Sequence, residues 1–87
     1  MANSKSAMKR DRQNQKIRTR NRVWRTRLST YCRKLEEKIE AGDLDGANAA
    51  YVEVSSQLDR AAKRGIVPKA RASRKKARFA RRVHALQ

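Results

Sequence analysis

The sequence predicts an all-α fold, an antiparallel three-helix bundle whose long first helix runs on as a basic arm. Three observations predict it. Apolar residues recur at helical spacing in three separate segments. The only proline and two of the three glycines fall in the two places where that periodicity breaks. No alternation with period two runs far enough to form a strand.

The first helix is expected over Lys5 to Ala41. At about 100° per residue it carries Ile17, Trp24, Leu28, Tyr31, Leu35 and Ile39 on one stripe. Its partners are too short to cover its N-terminal half. Residues 1–23 are therefore expected to project as an arm from a bundle of residues 24–87, and to fray without a binding partner. Gly42-Asp43 closes this segment and opens the next, with Asp43 as N-cap. The second helix offers Leu44, Ala47, Tyr51, Val54, Leu58 and Ala61 or Ala62, the alternating three-and-four spacing of a coiled-coil seam. Gly65 ends it as a left-handed cap residue, and Ile66 is placed for the accompanying apolar contact. Pro68 opens the third helix, where a first-turn proline is tolerated. That helix brings Ala72, Phe79, Val83 and Leu86 to one face, interrupted by Lys76. Short turns between three such stripes favour an antiparallel bundle.

With 87 residues, 38% hydrophobic and 5% aromatic, the chain has room for one small core and one domain. A lone Cys32 excludes an intramolecular disulfide and leaves too few thiols for a zinc site, as suits a reducing compartment. No apolar run is long enough to span a membrane. The basic N-terminus lacks the apolar core of a secretory signal. Its Arg-rich, acid-poor character is shared by mitochondrial presequences, but the same bias returns at the far end of the chain, so a cytoplasmic protein is the plainer reading.

The formal net charge is +16, and it is sorted along the chain. Residues 1–27 hold ten Lys/Arg against Asp11, residues 28–64 hold six bases against seven acids, and residues 65–87 hold eight bases and no acid. Such a field repels itself, and a polyanion removes that cost. Nucleic acid is the densest biological polyanion, and each neutralised phosphate also releases a condensed counterion. Arginine dominates both basic ends, and its planar fork binds phosphate bidentately and stacks on bases.

The placement of the bases is more informative than their number. With Lys16 at 0°, Arg20 and Arg27 fall within about 40° of it, Arg18, Arg22 and Arg25 near 180–240°, and the apolar stripe lies between, near 100°. Bases on two faces suit an arm lying between two nucleic-acid elements. On the third helix Arg71, Arg74, Lys75, Arg78, Arg81 and Arg82 gather within roughly 120° of arc, one continuous basic face turned from Phe79 and Val83. Charge spread over such lengths reads backbone and shape, as folded RNA is read. A major-groove reading helix instead concentrates a few Asn, Gln and Arg positions on a compact scaffold. A histone-like DNA-compacting protein stays open as the alternative. A basic amphipathic helix for anionic membranes or a calmodulin-like partner is less favoured, since the arm lacks the broad apolar face that interfacial insertion needs.

Nothing in the chain points to catalysis. Trp24, where arm meets bundle, reads as core before base-stacking platform. Cys32 reads as a small apolar filler. His84 stands without a second ligand or nucleophile nearby in sequence. Glu36, Glu37 and Glu40 sit among Lys34 and Lys38 at helical spacings, as solvated ion-pair partners do. No Gly-rich phosphate loop or metal-ligand spacing occurs. No enzyme activity, metal, cofactor or small-molecule substrate is expected.

Several stretches resemble a known family. The opening Met1-Ala2-Asn3-Ser4-Lys5-Ser6-Ala7-Met8-Lys9-Arg10 is similar to the start of the twentieth protein of the bacterial small ribosomal subunit. Ile39-Glu40-Ala41-Gly42-Asp43 resembles that family's first turn, and Leu58 to Val67 its second helix running into the second turn. Lys69, Ala72, Arg74, Lys76, Ala77 and Phe79 match its third-helix pattern, so the resemblance spans the whole chain in one register. Pro68 and Ala70 depart from it, standing where relatives often carry polar residues, and Trp24 is unusual.

The resemblance implies a single RNA-binding helical domain that acts as a structural constituent of the small ribosomal subunit. It implies direct binding to more than one region of 16S ribosomal RNA, early in assembly and beside other small-subunit components. Carried onto this chain, the RNA-binding positions are Lys5, Lys9, Arg10, Arg12, Lys16, Arg18, Arg20, Arg22, Arg25 and Arg27 in the arm. In the third helix they are Lys69, Arg71, Arg74, Lys75, Lys76, Arg78, Arg81 and Arg82, while Asn3 and Ser6 are polar contacts to the RNA backbone.

Overall fold

The computed structural model describes residues 5–87. Three helices follow in order, α1 over Lys5–Glu40, α2 over Leu44–Lys63 and α3 over Lys69–His84. The fold is all-α, as expected. At 1.5 Å per residue α1 runs about 54 Å, which accounts for most of the 63 Å long axis of a molecule only 21 × 14 Å across.

The core forms where the three stripes meet. α1 supplies Trp24, Leu28 and Leu35, α2 supplies Ala47, Val54, Leu58 and Ala61, α3 supplies Ala72, Phe79 and Val83, and Ile66 enters from the second turn. Tyr31, Ile39, Leu44, Tyr51 and Leu86 pack around it half-buried. Ala61 rather than Ala62 takes the last seam position of α2 in full. Ile17 shares the stripe of α1 but lies beyond the ends of α2 and α3, and it is 47% exposed. Gln57 is buried as well, unannounced by any apolar pattern.

The arm is helical from Lys5 onward. Its Arg, Lys and Gln are good helix formers. It also continues a helix already nucleated by the packed half, so it avoids the cost of a first turn.

Both turns are built by the same device. After α1, Gly42 at φ 71° donates its N–H to the Ile39 carbonyl and Asp43 donates to Lys38. After α2, Gly65 at φ 74° donates to Ala62 and Ile66 to Ala61. Each is a Schellman closure, in which a left-handed residue satisfies the last carbonyls of the helix. Asp43 also begins α2: its carboxylate accepts the Gly46 N–H at 3.0 Å and lies 3.6 Å from Lys38 Nζ. A Cβ on Gly46 would collide with that carboxylate, which gives this helical glycine a reason. Pro68 stands one residue earlier than expected, at the N-cap of α3 with ψ 139° and no side-chain cap, and its carbonyl accepts the Ala72 N–H.

Candidate nucleic-acid interface

From Lys5 to Arg20 every residue except Ala7 is exposed, and no residue of α1 before Trp24 is buried. The bases of this stretch separate into two tracks. Arg18, Arg22 and Arg25 line one open hollow of about 450 Å³ with Asn21, Thr26 and Ser29. Arg12, Lys16 and Arg20 line another of about 500 Å³ with Gln15 and Thr19. Thr19 Oγ1 donates back to the Gln15 carbonyl at 2.9 Å, so this hydroxyl is turned to its own helix.

Each track continues onto a different helix of the bundle. Arg25 shares a groove of about 480 Å³ with Arg71 and Lys75 of α3, floored by Leu28, Leu58 and the Gly65–Pro68 turn. Arg27 meets the C-terminal end of α2, where Trp24, Arg27, Arg60, Lys63 and Arg64 line a hollow of about 730 Å³. Over the Trp24 ring stand two guanidinium carbons, Arg27 Cζ at 5.1 Å and Arg64 Cζ at 5.0 Å from its centroid. Trp24 is 9% exposed, so it is both a core residue and the floor of this cluster.

Among the residues singled out from the sequence, Lys5, Ser6, Lys9, Arg10 and the other named bases of α1 through Arg27 are exposed, as are Lys69, Arg71, Arg74, Lys75, Arg78 and Arg81. Asn3 lies outside the described residues. Two bases are turned inward to the protein. Lys76 Nζ donates to Asp59 Oδ1 at 2.8 Å, tying α3 to α2, and this bond raises the Lys76 pKa above its ordinary value. Arg82 reaches Glu36 of α1 at 3.8 Å and stands over the Phe79 ring at 5.9 Å. Glu36 thus pairs across helices, and Lys38 pairs with Asp43 at the turn. The three ion pairs found among the described residues all lie outside the two tracks.

The bases that sequence reasoning missed are Arg60, Lys63 and Arg64. Averaging charge over residues 28–64 hid them, because five of the seven acids of that stretch, Glu36, Glu37, Glu40, Asp43 and Asp45, lie at its other end beside the first turn. The antiparallel pairing of α1 and α2 carries those five acids away from the arm and the three bases toward it. The available signal was three bases in five residues just before Gly65.

Burial pushes the Cys32 thiol above its ordinary pKa, partly opposed by the nearby Lys75 ammonium. Among the described residues no group of three or more His, Cys, Asp or Glu could hold a metal ion, and no helix is long and apolar enough to cross a membrane.

A family profile described as "Ribosomal protein S20" matches residues 2–84. The chain is 48% identical over 86 residues to the small ribosomal subunit protein bS20 of Vibrio atlanticus, covering 99% of this chain and all of that one. It is 43% identical over 86 residues to the protein of the same name from Desulfatibacillum aliphaticivorans, with 99% and 98% covered. It is 41% identical over 87 residues to that of Streptomyces griseus, with 100% and 99% covered. A two-track cationic arm on a small helical bundle, matched from end to end at this level of identity, places the chain in the ribosomal protein S20 family.

Proposed function

We propose that this chain is a structural constituent of the small ribosomal subunit that binds 16S ribosomal RNA directly, by phosphate and shape contacts, and stabilises its folding during assembly. Residues 1–23 serve as the inserted arm and residues 24–87 as the bundle that aims it, the two together forming one RNA-binding domain. The observation that carries this reading is the division of the bases of α1 into two tracks, each prolonged on a different bundle helix.

The physics follows from that division. Unpaired like charges on an isolated arm repel one another, and neutralisation by RNA on both sides removes this cost. Arginine forks bond phosphate oxygens in pairs, and released counterions supply an entropic gain that falls as salt rises. Two tracks on opposite sides of one helix can hold two RNA segments at a spacing set by the helix diameter, about 10–12 Å. The bundle gives the arm a fixed direction. Such a constituent works in the cytoplasmic ribosome beside other small-subunit components and without a cofactor.

Sedimentation of cell lysate at moderate salt tests the reading. The chain is expected to travel with small subunits, and recovery as a free protein counts against it. A histone-like role predicts instead equal salt slopes on duplex DNA and on folded ribosomal RNA, whereas the present reading predicts preference for the folded RNA.

A further inference from the structure

We infer that the hollow over Trp24, lined by Arg27, Arg60, Lys63 and Arg64, is a phosphate-binding site for the RNA backbone, and that α2 is thereby an RNA-contacting helix in its own right. This rests on the RNA-binding reading above and extends it to a helix whose stretch of sequence is nearly neutral in sum.

Three observations and one property of arginine support it. Two guanidinium groups stand about equally close to one indole ring, 5.1 and 5.0 Å from its centroid. The negative face of the ring attracts each of them, but they also bring two positive charges together. No carboxylate relieves that repulsion, since none of the ion pairs among the described residues involves Arg27, Arg60, Lys63 or Arg64. A guanidinium held over a ring keeps its in-plane N–H edges available, and these edges are what bind phosphate bidentately. Finally, the hollow lies on the same side of the molecule as Arg27, the last base of the Lys16–Arg20–Arg27 track, so a backbone following that track arrives here. An anion between the two arginines satisfies both.

A competing role for Arg60, Lys63 and Arg64 is purely structural, because cations in the last turn of a helix complement its dipole. The two roles separate experimentally. In the full chain, Arg60→Gln, Lys63→Gln and Arg64→Gln are combined, and Arg33→Gln with Lys34→Gln serves as the control that removes charge from exposed positions of α1 beyond Arg25 and Arg27, the last named bases of the two tracks. Binding to a 16S ribosomal RNA transcript is measured across a salt series, with thermal unfolding of each protein alongside.

The α2 variant is expected to lose about two to three phosphates from the salt dependence, at a slope of about 0.7–0.9 per phosphate. Its affinity is expected to fall at least about tenfold, with the control close to the unaltered chain. Trp24 is the only tryptophan of the chain, so its emission reports on the site directly and is expected to change when the unaltered protein binds RNA. An α2 variant that binds with unchanged slope and affinity overturns the inference, and so does one that loses thermal stability while its slope stays the same. If the unaltered chain fails to bind the transcript, the RNA-binding reading fails first and this site with it.

Discussion

Between Lys5 and Arg20 all but one residue of α1 faces solvent, whereas from Trp24 to Leu35 the same helix buries Trp24, Leu28 and Leu35. The two halves share one continuous backbone and similar helix propensity, yet they are held by different forces. Packing against α2 and α3 stabilises the second half. The first is helical because it extends a nucleated helix, and its surface is given over almost wholly to charge. Stability and binding therefore reside in different parts of one helix, and each can be altered with little effect on the other.

Removing residues 1–22 separates binding from stability with the largest expected effect. It deletes eight Lys/Arg and, among the described residues, no buried one. Affinity for folded ribosomal RNA at fixed moderate salt is expected to fall by about a thousandfold or more, with a much flatter salt slope. The unfolding free energy of the remaining bundle is expected to stay within about 0.5 kcal/mol. Isothermal titration across salt and a thermal melt read the two effects.

Leu35→Ala is the converse. Leu35 is fully buried, and its loss is expected to cost about 3 kcal/mol, the middle of the range for such a truncation. In a domain this small that lowers Tm by more than about 10 °C. Ile17→Ala on the same stripe, at a half-exposed position, is expected to shift the melt by less than about 0.5 kcal/mol.

Gly65→Ala sharpens the role of the second turn. A Cβ there meets no atom within 4 Å, so its cost is that of the left-handed backbone alone, about 1–2 kcal/mol. Chemical denaturation is expected to show that loss.

The smallest effect belongs to the Lys76–Asp59 bond. Because the native pKa of Lys76 is raised, its contribution is complete below the ordinary lysine value of 10.5 and is lost as pH climbs through the native value. The difference in Tm between the unaltered chain and Lys76→Met is therefore expected to be constant from pH 7 to about 10 and to shrink above 10.5.

Much of this molecule is legible in its sequence. Gly42, Asp43, Gly65 and Pro68 mark both turns, and the stripes of α1, α2 and α3 name ten of the eleven buried apolar residues, Ile66 being placed by the turn instead. Those are local signals, carried by residues a few positions apart. What was not legible depends on how the helices sit against each other. Lys76 reads as a flaw in the α3 stripe until Asp59 is seen opposite it. Glu36 reads as a partner for Lys34 or Lys38 until Arg82 arrives from α3. Arg60, Lys63 and Arg64 disappear into a neutral average until antiparallel packing brings them to Trp24. Gln57 is buried with its Oε1 unpartnered, which no local pattern announces.

If the two tracks of α1 hold two separate RNA segments, footprinting of 16S ribosomal RNA resolves them. With the unaltered chain, two protected regions are predicted. Lys16→Gln with Arg20→Gln should weaken one of them, and Arg18→Gln with Arg22→Gln the other. A single protected region, or the same nucleotides weakened equally by both variants, would mean that the tracks do not hold separate segments.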